Sequence, residues 1–173
     1  LRPDLCLLLM SATLDLTNLR AQLPHAQVLT SEGKAFPVET RHLSPRPNEP
    51  LGGHVLRAIE EELAYLLAPQ DGGDHPSTVL VFLPGVREIE HCRQRLLKSG
   101  LMNQWEIIAL HGRQSLTEQG RALKPCNQDQ DGRVILATSI AESSLTLDGV
   151  RLVIDCGLTR HTQFDPGTGM EGL

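Results

Sequence analysis

An α/β fold on a parallel sheet is predicted by three observations in this sequence. The runs "LCLLLM", "TVLVFL", "RVILAT" and "RLVIDC" are continuously apolar over a strand's length, the pattern of strands covered on both faces. Amphipathic stretches of helical period lie between them. Strand and helix then alternate at a spacing that suits right-handed crossovers, which place helices on both faces of the sheet. The chain has 173 residues, 40% hydrophobic and 21% charged. That suits about one soluble domain and excludes a disordered or collagen-like chain.

The elements follow in order. Leu5 to Met10 reads as a buried central strand ended by "SATLD", and "LTNLRAQL" as a short helix. "QVLT" and residues 38–43 read as short strands parted by "SEGKAFP". "SPRPNEPLGG" is a loop, since proline, glycine and polar residues interrupt both periods. From Leu56 through Ile59, Leu63, Leu66 and Leu67 the apolar spacing is helical, with acidic residues opposite, and "APQDGGDHPS" is a second loop. Strand 78–83 leads to the helix "VREIEHCRQRLLK", where Val86, Ile89, Leu96 and Leu97 share a face and Ser99-Gly100 marks the end. Its charges Arg87, Glu88, Glu90, Arg93 and Arg95 read as a solvated face. "WEIIAL", a short helix over 116–123, "RVILAT" and the strand 151–156 complete the alternation.

Composition excludes several functions. No apolar run approaches the roughly 18 residues of a membrane span, and the first residues lack a basic region and cleavage site, so a cytoplasmic protein without membrane contact is expected. Cys6, Cys92, Cys126 and Cys156 form no C-x-x-C pair and read as reduced, mostly buried thiols. Seven histidines without H-E-x-x-H spacing predict no metal site. A net charge of -5 and 3% aromatic residues argue against nucleic-acid binding by broad electrostatics or base stacking. Any such contact is expected in a local groove that grips the backbone with hydroxyls and amides. A chain that opens at Leu1, with a first strand lacking any upstream partner, reads as part of something longer.

In open parallel sheets ligands bind beyond the carboxyl ends of the strands. There "ATSIAESSLTLDG" sets five hydroxyls and two carboxylates directly after an apolar run. Ser139 and Glu142 have capping-box spacing, and Pro84-Gly85 opens another helix. Two helix N-termini at one rim would favour an anion, and the same residues serve equally to start helices. If Leu145 and Leu147 face the core, Ser144, Thr146 and Asp148 face a cleft; Asp148-Gly149 as a plain tight turn is the alternative. "GTGMEG" matches G-x-G-x-x-G without the strand before it or the helix after it that dinucleotide binding requires.

"LLLMSATLD", "GKAFPVE", "LVFLPGVREIE", "LHGRQSLTEQGRAL" and "ATSIAESSLTLDGVRLVID", in that order, resemble the DEAH-box helicases, above all their bacterial HrpB-type branch. The resemblance covers nearly the whole chain and implies a RecA-like fold. Residues 1–32 would end a first RecA-like lobe, and residues 33–173 would form the second. Two such lobes clamp ATP with Mg2+ and move single-stranded RNA or DNA, so the partners implied are nucleic acid, gripped by its backbone, and the first lobe of the same chain. Gly85, Thr138 and Ser139 would face the nucleic acid. Ser144, Thr146 and Asp148 would face the nucleotide, with Ser144 near the attacking water and Asp148 near the ribose, so that one loop senses both ligands. Ser11 and Thr13 would couple the lobes.

The chain departs from the family at Ser139 and Ser143, which stand for Asn and Thr, at Leu123, where many members set a phenylalanine against adenine, and at Gly167, often arginine in this branch. Its sequence contains no G-x-x-x-x-G-K-[ST] loop, no D-E-x-H and no Q-R-x-G-R-x-G-R element. The 173 residues alone are therefore expected to hold no ATP, Mg2+ or other cofactor and to hydrolyse nothing. They are also expected to self-associate through the strand Leu5 to Met10. A non-catalytic RecA-like interaction module and a RecA-type remodelling ATPase that does not translocate are the rival readings.

Overall fold

The computed structural model describes residues 8–10, 16–30, 37–68, 76–100, 103–127, 129–141, 146–159, 163–165 and 170–172. Residues 1–41 and 42–173 form two compact units. In the first, "LTNLRAQL" forms helix α1 (Leu16–Gln22) as its sequence predicts. The strands expected at 27–30 and 38–43 do not form, and residues 8–10 of the expected first strand are irregular; residues 5–7 lie outside the described residues. Short β-prone segments need a neighbour to take up their backbone hydrogen bonds, and none stands beside these among the described residues.

Near the start of the second unit, Arg57 folds residues 44–50 back onto α2 (Leu51–Glu61). Its guanidinium donates to both Glu49 carboxylate oxygens at 2.9 and 2.7 Å and to the Ser44 carbonyl at 3.0 Å. Glu49 also accepts from the Arg46 amide at 2.9 Å. The Arg57 hydrogen bonds, then the Arg46 amide, pull the Glu49 carboxyl down to about 2. The predicted loop ends at Pro50, and Leu51 to Gly53 already belong to the helix. A Cβ at Gly52 would stand 3.2 Å from the Cys92 Cα, so this glycine lets α2 approach its neighbour closely.

After α3 (Leu63–Leu67) come β1 (Ser77–Phe82), α4 (Val86–Ser99), β2 (Trp105–Leu110), α5 (Leu116–Leu123), β3 (Gly132–Ala137) and β4 (Val150–Asp155). The four strands make one sheet in the order β2-β3-β1-β4, with every pairing parallel. Alternation assigns the faces. Val79, Val81, Val134 and Leu136 pack with Val55, Ile59, Ile89 and Leu96 under α2 and α4. Leu80, Ile135, Ile108 and Leu110 pack with Ala122 of α5 on the other face. On α4 the buried residues are Ile89, Cys92 and Leu96, while Leu97 is half exposed. Leu97, expected on the buried face, is thus replaced there by Cys92, which Ile89 at i−3 and Leu96 at i+4 align with the sheet.

The helix α5 starts with a complete capping box: the Ser115 hydroxyl accepts from the Glu118 amide at 3.3 Å, and the Glu118 carboxylate accepts from the Ser115 amide at 2.8 Å. The same S-x-x-E spacing had been read at Ser139–Glu142. Ser139–Ala141 instead forms a single 3-10 turn, and residue 142 lies outside the described residues. A short antiparallel pair, β5 (Gln163–Asp165) and β6 (Met170–Gly172), ends the chain. The last residues of "GTGMEG" are thus a strand of this pair.

Candidate functional site

Because the four strands run the same way, every strand start lies on one rim of the sheet and every strand end on the other. The two rims stand one strand apart, about 20 Å for six residues at ~3.3 Å each.

At the carboxyl rim the ladder continues one residue past β1, β3 and β4. The Leu83 amide donates to the Ala137 carbonyl at 2.8 Å, Thr138 to Leu110 at 3.1 Å, and Cys156 to Phe82 at 3.4 Å. These bonds hold three strand ends in register around a cleft of about 290 Å³. Pro84, Thr138, Ser139, Asp155, Gly157 and Thr159 line it. Neither Thr138 nor Ser139 makes a side-chain hydrogen bond among the described residues, so both hydroxyls are available to a ligand. Gly85 follows Pro84 as the N-cap of α4, in extended conformation and without a side-chain cap. Its helix end is one anion-favouring terminus, although Glu88 in the first turn already sets a carboxylate there. Among the described residues the second terminus expected from Ser139 does not form: Ser139–Ala141 is a 3-10 turn of three residues, too short for an appreciable dipole.

Thr146 and Asp148 lie elsewhere. They immediately precede β4, so they sit at the amino rim, and both side chains are exposed while Leu147 packs on the α5 face. Over residues 146–148 Leu147 faces inward, but Thr146 and Asp148 face an open surface and not a cleft, and Asp148-Gly149 form the tight turn of the alternative reading; Leu145 lies outside the described residues. The structure brings Thr138 and Ser139 together with Pro84 and separates them from Thr146 and Asp148. Ser144, Ser11 and Thr13 lie outside the described residues.

Sequence reading missed the residue that organises the amino rim. Arg133, second in β3, is 1% exposed. Its guanidinium donates to Thr78 Oγ1 at 2.9 Å, to the Ala122 carbonyl at 3.2 Å, to the Lys124 carbonyl, and to the Asp148 carbonyl at 3.2 Å. Thr78 Oγ1 itself donates to the Asp148 carbonyl at 2.9 Å. The available signal was a lone arginine opening an otherwise apolar strand. On the opposite face of the sheet Arg151 binds the Leu66 and Ala68 carbonyls, both at 3.1 Å, and lies 4.1 Å over the Tyr65 ring.

Among the described residues no His, Cys, Asp and Glu cluster could hold a metal ion, and no helix is long and apolar enough to cross a membrane. Cys92 is buried, which pushes its thiol up to about 12, with Cys156 adding a smaller effect; Cys126 and Cys156 are half-buried. Cys6 lies outside the described residues.

Comparison with known proteins agrees with this architecture. The profile of the helicase conserved C-terminal domain matches residues 58–167. The ATP-dependent RNA helicase HrpB of Escherichia coli is 42% identical over 175 residues, covering 100% of this chain and 20% of that protein. The ATP-dependent RNA helicase HrpA of the same organism is 34% identical, covering 99% of this chain and 13% of its own length. A crystal structure of the E. coli DExH-box NTPase HrpB superposes with a TM-score of 0.77 at 42% identity, over 99% of this chain and 20% of that one. The chain thus spans a fifth or less of the length of these curated relatives.

Proposed function

Because the chain belongs to the helicase conserved C-terminal domain family and has the RecA-like sheet of the HrpB structures, we propose that it serves as the second lobe of an ATP-dependent helicase acting on single-stranded RNA or DNA in the cytoplasm. In this reading residues 33–173 belong to that lobe and residues 1–32 end the first, with Ser11 and Thr13 coupling the two. The observation that carries it is the separation of the two rims. One small ligand does not reach across a strand length, so the hydroxyls at the carboxyl rim and the polar groups at the amino rim suit two ligands.

Thr138 and Ser139 offer free hydroxyls to a phosphate–sugar backbone, and Gly85 lets that backbone approach the start of α4 without a side chain in the way. This mode tolerates a net charge of -5, since it depends on a few aimed donors and not on a basic surface. At the amino rim the exposed Asp148 carboxylate suits the hydroxyls of a ribose, Thr146 stands next to it, and the partly exposed Leu123 offers apolar surface to a base. These groups fit the sugar end of a nucleotide. In this reading the first lobe holds the metal and cradles the phosphates. ATP with Mg2+, when bound, supplies the phosphoryl group whose release drives movement. Ser144 orients water for that release, and the loop between the rims transmits the change to Thr138.

The deciding experiment is the ATPase rate of the full-length protein with and without single-stranded RNA and DNA, for the wild type and for Ser144→Ala. Strand-stimulated hydrolysis that falls in Ser144→Ala at saturating strand supports the reading. Hydrolysis indifferent to strand supports a remodelling ATPase, and no hydrolysis supports an interaction module. The 173-residue chain alone should not turn over ATP. Self-association through the strand Leu5 to Met10 is checked by light scattering on the same material.

A further inference from the structure

The buried Arg133 spans segments that the chain keeps far apart. Its fork meets Ala122 and Lys124 at the end of α5 and Asp148 before β4, while its Nε holds the Thr78 hydroxyl that also binds Asp148. The two α5 carbonyls flank Leu123, which is 39% exposed. A planar guanidinium accepts partners only in its own plane, so filling it from two segments fixes their relative position. The four residues that follow it in β3 are fully buried and apolar, and a strand of this kind does not need a cation for its stability. All of its acceptors are carbonyl or hydroxyl oxygens, so the cost of burying its charge is offset only while every one of them stays in place.

We propose that Arg133 is a positioning residue for nucleotide binding: it locks the Asp148 turn to the end of α5, so that Asp148 and Leu123 meet the nucleotide as one rigid surface. The inference rests on the reading that Asp148 and Leu123 face the nucleotide. Arg133 itself touches no ligand. Without its fork the two segments could still fold, but each would find the nucleotide separately, and the ordering that Arg133 completes in advance would fall on binding.

The test uses the full-length protein and two measurements. In the wild type, hydrogen exchange with and without a non-hydrolysable ATP analogue should show residues 122–124 and 147–149 gaining protection together. In Arg133→Lys, which keeps the charge and loses the fork, KM for ATP should rise about tenfold, by a clearly larger factor than kcat falls, with single-strand affinity moved less than about twofold. Arg133→Met should shift KM further in the same direction. Protection of one segment alone overturns the proposal, as does unchanged KM in Arg133→Lys when both segments are protected. Protection of neither segment removes the reading that they face the nucleotide, and the proposal with it. If Arg133→Lys does not fold, joint or separate protection in the wild type decides.

Discussion

The two rims of the sheet are held by different means. At the amino rim side chains do the holding: Ser77, Thr78, Arg133 and Arg151 make hydrogen bonds to carbonyls or hydroxyls of α3, α5, β1 and the Asp148 turn. At the carboxyl rim the backbone ladder carries three strand ends past their last residues, helped by Gln114, which bonds the His111 amide and the Ala109 carbonyl at the end of β2, and by Asp155, which accepts from the Gly157 amide. There Thr138 and Ser139 keep unused hydroxyls among the described residues, and Nδ1 of the half-buried His111 has no hydrogen-bond partner. Polar groups already committed to the fold cannot turn to a ligand without leaving carbonyls bare. Thr138 and Ser139 thus stay open to a ligand at the rim where parallel α/β folds usually bind one, while at the amino rim it is the Asp148 carbonyl that is committed and its carboxylate stays exposed.

The largest test of this contrast is Arg133→Ala. It takes the guanidinium from the carbonyls of Ala122 and Lys124 and leaves the Asp148 carbonyl to the Thr78 hydroxyl alone, and should cost the purified chain about 3–5 kcal/mol in urea unfolding. Thr138→Ala, the matching change on the other rim, should stay within about 0.5 kcal/mol. Equal costs would break the comparison.

Gly132→Ala comes next. A Cβ there would stand 2.6 Å from the Ser77 carbonyl oxygen and 2.7 Å from the Trp105 ring, and neither has room to give. Thermal unfolding should report a loss of about 1–3 kcal/mol, typical of overpacking. A stable Gly132→Ala variant would mean that the amino rim is looser than its hydrogen bonds imply.

A smaller effect is expected from Thr138→Ala on function. In the full-length protein it should weaken single-strand binding by about 0.5–1.5 kcal/mol, the worth of one neutral hydrogen bond, and reduce stimulation of ATPase by RNA. Fluorescence anisotropy with a labelled single strand measures it, and unchanged affinity would take Thr138 out of the proposed grip.

The smallest effect lies outside both rims, at Glu49. Its carboxyl is held at about 2 in the folded chain, chiefly by Arg57, against an ordinary value of 4.5. A lowered folded value gives stability that is present above about 4.5 and lost as pH falls toward about 2. Unfolding of the wild type and of Glu49→Gln should therefore differ at pH 6 and converge by pH 2, by little, because the pair lies near the surface. A difference that persists at pH 2 would assign the effect to packing.

The strands β1, β2, β3 and β4 and the helices α4 and α5 were legible to within a residue at each end, because a buried parallel strand and an amphipathic helix write their periods into consecutive residues. The helicase resemblance was legible for a related reason: its motifs are short local strings, and Pro84, Thr138, Ser139 and Asp148 lie in them. What failed depended on neighbours. Residues 27–30 and 38–43 have strand-like composition and no strand beside them among the described residues, and S-x-x-E at Ser139 looks the same as S-x-x-E at Ser115, where the capping box forms.

By itself, then, the sequence determined the fold class, the strand–helix alternation from β1 to β4 and the motif residues, all of which depend on local pattern. Only the tertiary structure decided that Thr138 and Asp148 stand on opposite rims, and that Arg133 joins Ala122, Lys124 and Asp148. Both facts follow from the β2-β3-β1-β4 order. Strand direction sends the chain from one rim to the other within a few residues, and strand neighbours bring into one hydrogen-bonding cluster residues that no local period relates.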